Sequence, residues 1–307
     1  MADTTRTTTP PGVGLGTGPL ARRRQHSWRP ESAGWARLLK NLSVWIPLLL
    51  LVIWTIGPFL VTLSVSLKTA AEVFAQPSLL PDSPTLAAYA EVLSRPGFRT
   101  SLVNSVIVGF GTCVLTLLLG IPAAYAFARF RFPARHLLLI LVLLPRLVPS
   151  VGIMLPLYQL AASLEALNSL LTLIVVYSGM LLPLAVWLLV GFFQAIPRDI
   201  EEAANVDGAS LIQRLRFVVL PLAIPAIITI SVLAFREAWN EFQLVLVLTT
   251  SAEKRTLPFE LYSIQGLGLA DLPMEAAFAL LTILPLALVY LWIERYVVQG
   301  ITSGAMK

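Results

Sequence analysis

Apolar residues run on in long blocks along most of this chain, and short polar connections separate them. Blocks of more than about 20 residues match the length a helix needs to cross roughly 30 Å of hydrocarbon. The pattern therefore predicts six membrane spans, at about 44–67, 102–128, 137–160, 170–193, 217–248 and 276–298. The fifth block, about 32 residues long, is too long for one straight crossing. Its run Arg236-Glu237-Ala238-Trp239-Asn240-Glu241 interrupts the apolar pattern and predicts a bend or break there. Residues 1–40 lack aliphatic clustering and read as a disordered or loosely helical tail, leaving 41–307 as the membrane domain. The late and overlong first block does not fit a cleaved signal peptide.

Composition agrees with the pattern. The chain is 57% hydrophobic and 13% charged, with a mean hydropathy of +0.80, which places it among proteins whose solvent is the bilayer. A net charge of +5 would suit nucleic acid if it were concentrated, but the basic residues are scattered over short connections. Their distribution follows the positive-inside rule instead. Fifteen Lys and Arg fall on the side holding the termini, the 129–136 connection and the 194–216 connection, against five (Lys68, Arg95, Arg99, Lys254, Arg255) on the other. Both termini are thus expected in the cytoplasm. The single cysteine, Cys113, lies in an apolar block, so a disulfide framework within the chain and a cysteine metal site are both excluded.

One polar segment breaks the apolar sequence on the cytoplasmic side: Arg198-Asp199-Ile200-Glu201-Glu202-Ala203-Ala204-Asn205-Val206-Asp207-Gly208-Ala209. Pro197 suits the first turn of a helix. Asp199, Glu201 and Glu202 sit near the positive end of its dipole, each favourable by about 0.3–1 kcal/mol. Gly208 can end the helix in the left-handed conformation, and Ser210 with Gln213 has capping-box spacing for a second helix. The residue types fit a solvated amphipathic linker. They equally fit a docking element whose carboxylates meet basic groups in a partner's cleft while Ala203 and Ala204 allow close approach.

Glu202-Ala203-Ala204, two residues, then Asp207-Gly208-Ala209, followed by Leu220-Pro221 and Pro225, resembles the EAA motif of ABC-importer permease subunits. More narrowly, the chain is similar to the MalG-type permeases of carbohydrate importers. Asn104-Ser105, the run Ala123-Ala124-Tyr125-Ala126-Phe127-Ala128-Arg129, Ala238-Trp239-Asn240-Glu241-Phe242 and the ending Gln299-Gly300-Ile301-Thr302-Ser303-Gly304-Ala305 carry the likeness over roughly 44–307. The resemblance implies an all-α polytopic membrane protein with six transmembrane helices and a cytoplasmic coupling helix, the type I ABC importer permease fold. It implies that the acidic helix seats in a groove of a separate ABC ATPase. Glu201 and Asp207 belong to that coupling segment. Glu202 would face basic groups, Ala203 and Ala204 would pack in the cleft, and Gly208 with Ala209 would form the turn. The implied partners are an ATPase dimer carrying ATP-Mg, a second homologous permease, an extracytoplasmic solute-binding protein and membrane lipid, with no nucleic acid. The implied location is a bacterial or archaeal inner membrane, and the implied cargo a sugar or oligosaccharide.

Charges inside a span are costly and should face protein or water. Arg146, between Pro145 and Pro149, and the group Arg236, Glu237, Asn240 and Glu241 therefore have two readings: internal pairing at a kink, or the lining of a translocation cavity. Arg146, Trp239, Asn240 and Glu241 are the cavity candidates. The outward connection bearing Glu253, Lys254, Arg255, Glu260, Asp271 and Glu275 would, by the resemblance, meet the binding protein. The chain has no Gly-x-x-x-x-Gly-Lys-Ser/Thr loop, so no cofactor is expected on it. His26 and His136 do not form a metalloprotease pattern, and no catalytic residues or metal ligands are expected. A secondary transporter of a small polar solute is the alternative. It would need an ion-coupling site and broken helices in both halves, and the pattern suggests a break in the fifth span alone.

Overall fold

The computed structural model of this chain describes residues 33–75, 78–265 and 271–305, with side chains described between 43 and 291. Two units divide at Ile56 and Gly57. Residues 1–32 of the expected tail and the last two residues lie outside the described ones. All regular elements among the described residues are helical. Helix α1 runs Ala33–Ser66, α2 Ala70–Ala75, α3 Ala87–Ser94 and α4 Pro96–Arg129. Helix α5, Arg135–Leu143, passes through a 3-10 turn at Leu144–Leu147 before α6, Ser150–Ser163; α7 follows at Leu170–Ala195. The polar segment forms α8, Arg198–Val206. Then come α9 (Leu211–Arg214), a π turn (Leu215–Val219), α10 (Leu220–Leu222) and α11 (Ile224–Asn240). After α11 come α12 (Gln243–Leu248), a 3-10 turn (Ala252–Lys254) and α13 (Leu257–Gln265). Helix α14, Leu272–Ala305, closes the order.

Four stretches are long and apolar enough to cross a bilayer: Ser43–Ser66, α4, α7 and Leu272–Leu291. Two bent pairs make six if each counts as one span: Arg135–Leu147 with Ser150–Ser163, bent by 92°, and Leu211–Leu222 with Ile224–Asn240, bent by 79°. Counted that way the structure offers up to six candidate spans, and it differs from the expected pattern of breaks. The third span is broken as sharply as the fifth, and the fifth breaks twice. Its expected break comes at Glu241, whose extended backbone separates α11 from α12. A further break falls at Ala223, thirteen residues or more before the polar run.

Proline chemistry accounts for both sharp bends. Val148 precedes Pro149 and takes an extended conformation, φ −80° and ψ 122°, because the following ring disfavours helical geometry. In the fifth span Pro221 removes one N–H and Pro225 another. The backbone responds with a π turn, in which the Leu220 N–H reaches back to the Leu215 carbonyl, and with a new helix start beyond Ala223. Pro225 stands in the first turn of α11, where its missing N–H is tolerated.

Helices α4, α7 and α11 form the central packing unit of 57–307. Toward α8, Ala124, Tyr125 and Ala128 of α4 pack with Leu189 and Phe193 of α7 and with Val219, Ala226 and Ile230. At the other end Phe98, Phe235, Trp239, Leu257 and Phe278 join α3, α4, α11, α13 and α14. Close approach of α4 to α11 needs Gly109: a Cβ there would lie 2.7 Å from the Phe235 ring. Polar side chains pin the outer connection. Asn104 Nδ2 donates to the carbonyls of Glu253 (2.8 Å) and Arg255 (2.9 Å). Ser105 Oγ accepts from the Leu257 N–H at 2.9 Å. Asn168 Oδ1 accepts the N–H groups of Thr250 and Ser251 at 2.6 and 2.8 Å.

Candidate functional site

The acidic segment folds as its residues suggest. Helix α8 ends in a Schellman arrangement: the Ala209 N–H reaches the Ala204 carbonyl at 3.0 Å and the Gly208 N–H reaches Asn205 at 3.1 Å. Gly208 sits at φ +84°, the left-handed conformation this turn requires. The Ser210–Gln213 capping box forms in full. The Gln213 N–H donates to Ser210 Oγ at 3.4 Å, and the Ser210 N–H donates to Gln213 Oε1 at 2.8 Å. Pro197 is one position earlier than its residue type suggested, at the N-cap.

The two glutamates part company. Glu201 is 6% exposed and turns back onto α4, where Arg129 Nη2 lies 2.5 Å from its Oε1 and the Tyr125 hydroxyl donates to its Oε2 at 2.8 Å. The same arginine donates to the Ile196 carbonyl at 3.2 Å, and Arg198 donates to the Ala128 carbonyl at 3.5 Å. The start of α8 is therefore bolted to the end of α4 by a buried ion pair, a phenol and two backbone contacts. Breaking such a pair by removing one partner costs about 3–5 kcal/mol, because the other charge is left buried. A cleft of about 170 Å³ opens beside it, lined by Tyr125, Arg129, Arg198, Glu201, Glu202 and Arg214 among others.

Glu202, Ala203, Asp207 and Gly208 are exposed, and Ala204 and Ala209 are half-buried. Val206 is 86% and Ile212 75% exposed. These two aliphatics flank the glycine turn at the surface of a polar helix pair, largely uncovered by the described residues. Tyr125 and Arg129 were legible as part of the quoted Ala123–Arg129 run, but their role was not.

The cavity candidates separate as well. Arg146 Nη2 lies 3.8 Å from Glu237 Oε1, and Arg236 Nη2 reaches the same oxygen at 2.9 Å. Asn240 is exposed and donates to the Arg236 carbonyl at 2.9 Å. The Ser150 hydroxyl donates to Gln243 Oε1, so the polar patch spans both broken segments. Trp239 and Glu241 make other contacts. Trp239 is 1% exposed, stacked on Phe235 with ring centroids 5.2 Å apart, and its indole N–H donates to the Thr282 carbonyl. Glu241 accepts the Tyr177 hydroxyl at 2.7 Å and the Leu244 and Val245 N–H groups at the start of α12. Between α12 and α13 Glu253 is exposed, whereas Glu260 of α13 is buried and lies 3.5 Å from Arg255.

Residues 116–303 match the model of the binding-protein-dependent transport system inner membrane component. The chain belongs to this family. The permease is 37% identical over 251 residues to the sulfoquinovosyl glycerol transport system permease protein SmoH of Agrobacterium fabrum, covering 81% of this chain and 88% of that one. It is 34% identical to the trehalose transport system permease protein SugB of Mycobacterium tuberculosis, covering 87% and 98% of the two chains. Among solved structures it resembles a bacterial ABC transporter involved in importing the acidic polysaccharide alginate, with a TM-score of 0.74, 23% identity and coverage of 85% and 97%. That likeness establishes the fold. The chain is thus a multi-pass membrane permease subunit of an ABC importer. Its expected assignment as a transport component follows from the same family.

Proposed function

We propose that this permease carries carbohydrate across the membrane on energy supplied through α8 by a separate ATPase that binds ATP-Mg. The observation that carries the reading is the two-sided α8. One face is fixed to α4 by Glu201, Arg129 and Tyr125; the rest presents Glu202, Ala203 and the exposed aliphatic Val206, followed by exposed Asp207 at the cap and Ile212 in α9. A helix rigidly joined to a span and apolar where it should meet water suits a transmitted push better than a solvated linker. Closure of the ATPase dimer would move α8, and α4 with it, and bias the spans between inward-facing and outward-facing states. A second permease would complete the pathway, and an extracytoplasmic binding protein would deliver solute near the exposed Glu253. The basic-residue asymmetry supports cytoplasmic termini and a cytoplasmic α8. Relatives named for trehalose and for sulfoquinovosyl glycerol support a sugar or glycoside cargo, without choosing between neutral and acidic ones.

The test is Glu202→Lys combined with Gly208→Pro, assayed in the assembled importer. Sugar uptake should fall to background and the ATPase should be lost from the purified complex, while the variant still inserts in the membrane. Normal uptake with a normal complement of ATPase would defeat the coupling role of α8.

A further inference from the structure

Of the 22 Lys and Arg residues, twenty sort to one side of the membrane or the other. The two that do not are Arg146 and Arg236. They converge on one carboxylate, Glu237, at 3.8 and 2.9 Å. Arg146 stands eleven residues beyond the start of α5 and Glu237 thirteen beyond the start of α11, about 16 and 20 Å along helical backbone. On the proposed orientation both lie deep within the roughly 30 Å hydrocarbon layer.

Charge at that depth is expensive, so each group needs a partner or water. Within the ion-paired group two arginines share one carboxylate, so that group carries one positive charge more than negative. Glu241 forms no ion pair with either arginine; its oxygens accept from Tyr177 and from the N–H groups that open α12. The guanidinium groups are not buried: the side chains of Arg146, Glu237 and Arg236 are 39%, 41% and 48% exposed. Asn240 bonds to the Arg236 backbone, and Ser150 bonds to Gln243 across the same two broken segments; these are the hydroxyl and amide partners that sugar hydroxyls use. Arginine stays charged at any physiological pH, and its planar fork matches a carboxylate or sulfonate with two parallel hydrogen bonds.

We infer that Arg146 and Arg236, flanked by Ser150, Asn240 and Gln243 at the breaks of the third and fifth spans, form a solute subsite selecting glycosides that bear an acidic group. This rests on the carbohydrate-import reading above. The negative group of the solute acts as the second carboxylate for the two arginines as it passes, and the sugar hydroxyls bond to the amides.

The test uses the complete importer reconstituted with its binding protein, and compares uptake of a glucuronic-acid disaccharide with that of maltose and trehalose. The wild-type complex should import the acidic disaccharide. Arg236→Gln should lower the acidic-to-neutral uptake ratio about tenfold, and Glu237→Gln should raise it by a similar factor, as one unit charge at close range does. Opposite shifts from two neighbouring neutralising changes cannot come from misfolding. Import of maltose or trehalose alone, or both variants moving the ratio in the same direction or not at all, would overturn the acidic subsite while leaving carbohydrate import standing. Uptake of none of the three sugars would instead remove the carbohydrate reading on which it rests.

Discussion

Glu201 and Glu202 are adjacent in sequence and opposite in their surroundings. Their neighbours decide this: Arg129 and Tyr125 close over Glu201, while Glu202 stands exposed. Glu201→Ala should therefore destabilise the purified permease complex by about 3–5 kcal/mol, because it leaves the Arg129 guanidinium uncompensated in a buried site. Tyr125→Phe removes one hydrogen bond to a charged group and should cost about 1.5 kcal/mol. Removing both charges, as Arg129→Met with Glu201→Gln, should recover part of the loss, since no unpaired charge remains. Glu202→Ala should leave stability within about 0.5 kcal/mol, as exposed substitutions usually do, yet still weaken ATPase association. Thermal unfolding of the four variants, read alongside ATPase co-purification, distinguishes anchoring from docking. If Glu202→Ala unfolds as early as Glu201→Ala, the division of labour is wrong.

At the scale of elements, α8 and its turn depend on a single backbone conformation. Gly208 has open space around it, so a methyl group would fit; its φ of +84° is what an alanine resists. Gly208→Ala should cost about 1 kcal/mol, localised to the turn. Hydrogen exchange should show faster exchange at the Gly208 and Ala209 amides and unchanged protection in α7. This element was readable from the chain because all its determinants are local: the proline start, the glycine stop and the serine–glutamine cap lie within seventeen residues of one another, 197 to 213. The anchoring of Glu201 was not readable, since Arg129 lies 72 residues away and only the packing of α4 against α7 brings it close. The bends at Val148 and Ala223 fall between. Hydropathy passes through them without a change, but Pro145, Pro149, Pro221 and Pro225 mark them. Trp239 illustrates the opposite error: an aromatic beside polar neighbours suggested a cavity, whereas its ring completes the stack with Phe235 at the α11 core.

At the scale of the whole molecule, the orientation sets where energy and solute enter, and it can be tested on this chain directly. Cys113 is the sole cysteine and is buried, so Cys113→Ser provides a background without thiols. Methyl-sized core changes are usually tolerated within about 1.5 kcal/mol, but the hydroxyl must keep the bond that the Cys113 thiol donates to the Ser231 carbonyl, which serine can do. On that background Val206→Cys probes the exposed end of α8, and Glu253→Cys probes the outer connection pinned by Asn104. A membrane-impermeant maleimide should label position 253 in right-side-out vesicles and position 206 in inverted ones. Adding the ATPase should then slow labelling at 206 by several-fold, because the aliphatic flank of the turn becomes covered, and leave 253 unaffected. The reverse sidedness would place α8 outside and separate it from any cytoplasmic ATPase. Correct sidedness without protection at 206 would keep the topology but move the docking surface elsewhere, most directly to the arginine-lined cleft beneath α8. The two readouts thus separate how the chain is threaded from how it is driven.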